Sequence, residues 1–107
     1  MEAKNLQLSL KTEWFEMTKA GIKTEDYREI TPYWEKRLVC AREYGGRPSF
    51  YLFKTNTMTL GYPSKTDTDR ILKLEHKGIE IRTGNPEWGA EPNKLYFVIK
   101  HGKIITP

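Results

Sequence analysis

Two stretches of strict alternation joined at a glycine constrain this chain more than any other feature. Leu72 and Leu74 alternate with Lys73 and Glu75, Ile79 and Ile81 alternate with Glu80, and the phase breaks near Lys77-Gly78. Period-two patterning marks a strand with one buried face. The segment 71–81 therefore reads as one long strand, bent or bulged where Gly78 tolerates it. Leu6, Leu8 and Leu10 alternate with Gln7 and Ser9 and predict a first strand. At 107 residues the chain suits one domain, 1–107.

The helices implied are short. Thr12 is placed as an N-cap, Glu13 and Glu16 favour the positive end of the helix dipole, and Lys19 and Gly21 suit its end, predicting a helix over roughly 13–20 with Trp14, Phe15 and Met17 as its apolar stripe. Thr31-Pro32 opens a second helix of about two turns running to Leu38. Tyr44–Pro48 reads as a loop, and Phe50–Phe53, apolar on both faces, as a central strand. After a break over Gly61–Asp69 and a loop over Gly84–Asn93, Leu95–Lys100 predicts a strand, with a tight turn at His101-Gly102 before Ile104. Five or six strands and two short helices predict an α+β domain, mostly β, whose sheet is curled or closed.

Composition narrows the chemistry. Three Trp, six Tyr and four Phe supply a core without disulfides. The single cysteine, Cys40, excludes an intramolecular disulfide and any cysteine-rich metal cage; it reads as a small buried hydrophobe. His76 and His101 lack metal-ligand spacing and read as surface or turn residues, so no metal or cofactor is expected. Gly45-Gly46 lacks the spacing of a phosphate-binding glycine motif. No apolar run approaches the ~20 residues of a membrane span, which points to a soluble cytoplasmic protein. The formal charge of +4 permits a polyanionic partner, but the cations are dispersed, so a positive patch has to be assembled by folding.

The densest charged stretch is Gly21-Ile22-Lys23-Thr24-Glu25-Asp26-Tyr27-Arg28. In a strand over 24–29, Asp26 and Arg28 share one face while Glu25, Tyr27 and Glu29 share the other. Lys23 has the wrong parity and joins Asp26 only if the chain turns before Thr24, a turn that Gly21 allows. The plain structural reading is an edge strand kept soluble by its charges.

These residues also carry a resemblance. A glycine, a lysine two on, an acid three further and an arginine two beyond, here Gly21, Lys23, Asp26 and Arg28, resemble the signature of the ASCH (activating-signal-cointegrator homology) domain family, whose usual acid is glutamate. Leu8–Lys11 with Trp14-Phe15, Tyr27–Ile30 with Pro32–Trp34, the loop Gly84–Gly89 and the closing Phe97–Lys100 extend the likeness to a short single-domain bacterial or phage type over nearly the whole chain.

The resemblance implies a PUA-like small β-barrel with helices over its openings and a cleft beside the signature strand, lined by Lys23, Asp26 and Arg28. It implies RNA or a nucleotide or nucleoside as ligand. Trp34, Tyr33, Tyr62 and Trp88 are then candidates to stack on bases, although a tryptophan in a domain this small more often serves the core. The loop Glu87–Gly89 covers such a cleft or is pinned to the core by Trp88, the pin being the plainer reading. The alternative is an amidohydrolase acting on an acylated nucleoside such as acetylcytidine. Lys23 and Asp26 would be its catalytic pair, with Asp26 where those relatives place a threonine nucleophile and Glu75, Glu80 or Glu87 as a third member. Oligomeric state has no signature in the sequence.

Overall fold

A computed structural model describes residues 4–42, 45–61 and 66–105. In chain order the elements are β1 (Lys4–Leu10), α1 (Thr12–Lys19), β2 (Glu25–Arg28), α2 (Pro32–Leu38), β3 (Val39–Arg42), β4 (Pro48–Phe50), β5 (Phe53–Leu60), β6 (Ile71–Thr83) and β7 (Leu95–Ile104). Five strands form one sheet in the order β1-β5-β6-β7-β2; β3 and β4 form a separate ribbon. The fold is α+β and mostly strand, and the main sheet curls into a half-barrel with two short helices.

The long strand forms as the alternation predicts. Its register against β7 slips between Leu74 and Gly78, and Gly78 takes a φ of 114°, a value that a side chain at that position would oppose. Leu6, Leu8 and Leu10 point inward against Phe15, Leu38, Met58, Leu72, Leu74, Phe97 and Ile99. Each such side chain, fully buried, contributes roughly 1.5–3 kcal/mol relative to exposure.

Several local expectations are corrected. The strand buried on both faces is β7, with Phe97 and Ile99 in the main core and Tyr96 and Val98 in a smaller cluster with Ala90. Phe50–Phe53 instead straddles the end of β4 and the start of β5, and Leu52 is 76% exposed. The strand 53–60 escapes the sequence reading because its apolar positions are diluted by threonines. Lys11, not Thr12, occupies the N-cap of α1 and makes no side-chain cap. Thr31 does cap α2, accepting from the Trp34 N–H at 3.3 Å. His101-Gly102 makes no turn, because β7 continues through both. Cys40 is exposed and donates to the Ser49 carbonyl.

Candidate functional site

The site begins at the end of α1. Gly21 adopts a φ of 78° and its N–H bonds to the Thr18 carbonyl, while the N–H groups of Ile22 and Lys23 both reach the carbonyl of Met17. This left-handed exit turns the chain before β2. Lys23 is thereby released from strand parity and points inward, 2% exposed. Its Nζ lies 3.1 Å from Asp26 Oδ1 and also donates to the Glu25 carbonyl. Asp26, 5% exposed, accepts on its other oxygen from Arg28 Nε at 2.8 Å. One carboxylate thus joins two cations, each held by a charge-assisted hydrogen bond.

Arg28 continues the chain of bonds across the sheet's opening. Its Nη2 donates to the Ser9 carbonyl at 2.9 Å, linking β2 to β1, the two outer strands of the curled sheet. Its guanidinium also lies 5.0 Å from the centre of the Trp34 ring. At this seam a recess of about 390 Å³ opens between Ser9, Lys11 and Trp14 on one side and Asp26 and Arg28 on the other, with Trp88 in its wall. Of its three acidic members, Asp26 pairs with Arg28 and Lys23, and Glu29 and Glu91 both pair with Lys94.

The expected residues fall into three groups. Asp26, Arg28 and Trp88 line the recess. Lys23 stands behind Asp26 and is not part of the lining. Trp34 lines a neighbouring hollow of about 280 Å³ with Arg28, and packs against the core margin. Tyr33 is exposed in that same hollow; Tyr62 lies outside the described residues. Trp88 is half-buried where it lines the recess, and its loop is also held by the buried Ala90 and by the Asn85 N–H, which donates to the Tyr27 hydroxyl at 2.8 Å. Gly89, with a φ of 96°, lies so near Trp14 that a Cβ would sit 2.9 Å from its Cζ2. None of the three glutamates weighed as a third catalytic member joins the pair. Glu75 accepts from the Lys103 N–H, Glu80 bonds Arg82 and Lys100, and Glu87 is exposed outside the lining.

Sequence reasoning missed Ser9, Lys11 and Trp14 as recess residues and misread the histidines. His76 and His101 are register partners on β6 and β7. His76 Nδ1 lies 2.8 Å from Asn56 Oδ1, which requires a proton on that nitrogen, while Asn56 Nδ2 faces His101 Nδ1 at 3.5 Å and the Lys100 carbonyl at 3.3 Å. His101 is 6% exposed and its Nε2 has no partner among the described residues. Burial pushes His101 down to about 4, with the nearby Asp26 opposing that shift. The opposite parity carries Tyr27, whose hydroxyl bonds Glu25; burial raises its pKa to about 12.

Among the described residues no cluster of three His, Cys, Asp or Glu is placed to hold a metal, and no helix is long and apolar enough to cross a membrane. Comparisons with protein-family models, with curated proteins and with solved structures found no match.

Proposed function

We propose that this chain is an ASCH-type, PUA-like domain that binds RNA, or a nucleotide or nucleoside, in the recess at the β1–β2 seam. The observation that carries the reading is the Arg28 guanidinium, held by Asp26 and Ser9 at the wall of a roughly nucleoside-sized recess that also presents Lys11, Trp14 and Trp88. Guanidinium and ammonium groups suit phosphate, and indole rings suit base faces. The exposed thiol of Cys40 suits a reducing, cytoplasmic setting.

The amidohydrolase alternative has weaker support. The Lys23 ammonium is engaged by Asp26 and the Glu25 carbonyl and lies behind the lining, whereas an oxyanion donor has to face the reacting atom. Titration of a twelve-residue single-stranded RNA at 50 and 200 mM salt tests the binding reading. Affinity is expected to fall steeply with salt as counterions are released, and to drop at least about fivefold in Trp88→Ala. No RNA affinity together with acetylcytidine turnover that vanishes in Lys23→Ala would reverse the ranking.

A further inference from the structure

The seam recess does not end at Arg28. Ser9 and Arg28 also line the second hollow, which holds Trp34 and Tyr33. Gln7 and Arg37 are in turn shared by that hollow and a third, of about 390 Å³, which holds Lys36, Tyr51 and Phe53. Three concavities therefore run in series beside β1, and consecutive ones share walls. The strand itself sets their spacing. Asn5, Gln7, Ser9 and Lys11 are exposed while Leu6, Leu8 and Leu10 are buried, so one polar row faces the hollows across about 20 Å.

Each hollow brings at least one aromatic ring together with a cation. The first has Lys11 with Trp14 and Trp88, beside the carboxylates of Asp26, Glu29 and Glu91, which are paired with Arg28 and Lys94. The second has Arg28 and Arg37 lying over the rings of Trp34 and Tyr33, and the third has Lys36 with Tyr51. Lys11, Lys36 and Arg37 are exposed. An aromatic ring and a cation repeated at intervals along a groove match a chain whose planar groups alternate with anions. An acidic peptide would use the cations and leave most of the rings without a role.

We infer that the three hollows form one track for a single-stranded RNA segment, one base in each, with the Arg28 bridge to Ser9 dividing the first from the second. This rests on the proposed binding at the seam and extends it from a single-nucleotide recess to a polynucleotide path. Gln7, at the boundary of the second and third hollows, presents an amide that suits the edge of an unpaired base.

Isothermal titration calorimetry with uridylate oligomers of one to six residues tests it. Affinity should rise about fivefold or more for each residue up to three and then level off. The double substitution Lys36→Ala/Arg37→Ala, on exposed helix positions, should narrow the ratio between hexamer and mononucleotide affinities. Equal affinity for mononucleotide and hexamer would overturn the track while leaving the seam reading intact; no binding of any oligomer would overturn both. A duplex binding as tightly as the single strand, or hexaglutamate displacing the RNA at equal concentration, would also overturn the track.

Discussion

On the inner face of β2, Asp26 joins the buried Lys23 to Arg28, which is partly exposed at the recess; on the outer face, Glu25 pairs with Arg82, Arg82 with Glu80 and Glu80 with Lys100, mostly within reach of solvent. Both networks use the same residue types, but burial separates them. A buried charge that loses its partner keeps its desolvation cost, while an exposed pair exchanges one solvated state for another. The inner network therefore gives a rigid placement of Arg28 at the seam, and the outer one contributes little beyond solubility.

The largest expected break in that contrast is Asp26→Ala. It strands the Lys23 ammonium in the core and should cost about 3–5 kcal/mol in urea denaturation. A loss below about 1 kcal/mol would mean that Lys23 reaches water and that the inner network resembles the outer.

Acid comes next. Because His101 titrates near 4 in the folded protein and near 6.5 when unfolded, its neutral form is favoured by folding. That stability is present above pH 6.5 and is lost as pH falls toward 4, a change of roughly 3 kcal/mol over the whole window. Between pH 6.5 and 4.5 the slope should flatten in His101→Gln. An unaltered slope would assign the acid sensitivity elsewhere.

The smallest effect is expected on the outer face. Arg82→Ala breaks its contacts to both Glu25 and Glu80 yet should shift stability by less than about 1 kcal/mol, read by the same urea midpoint. A loss approaching that of Asp26→Ala would erase the distinction between the faces.

The shared face of Asp26 and Arg28 was legible because strand parity is a local property of the chain. The inward turn of Lys23 was legible as a condition, since Gly21 allowed a left-handed exit without requiring one. Other features have no local mark in the chain. Asn56 and His101 carry polar side chains inside a core, which no hydropathy pattern marks, and threonines blur the alternation in β5. Trp88 and Trp34 look equivalent as sequence, yet one lines the seam and the other the next hollow along β1.

By itself the sequence determined the elements whose causes are short-range: the long bent β6 from its interrupted alternation, α2 from Thr31-Pro32, and the end of α1 from Gly21. Only the tertiary structure decided what faces what. The strand order β1-β5-β6-β7-β2 leaves β1 and β2 as the two outer strands, and curling sets Ser9 against Arg28. Such contacts join residues far apart along the chain, so they depend on how the whole sheet twists and closes rather than on any local pattern.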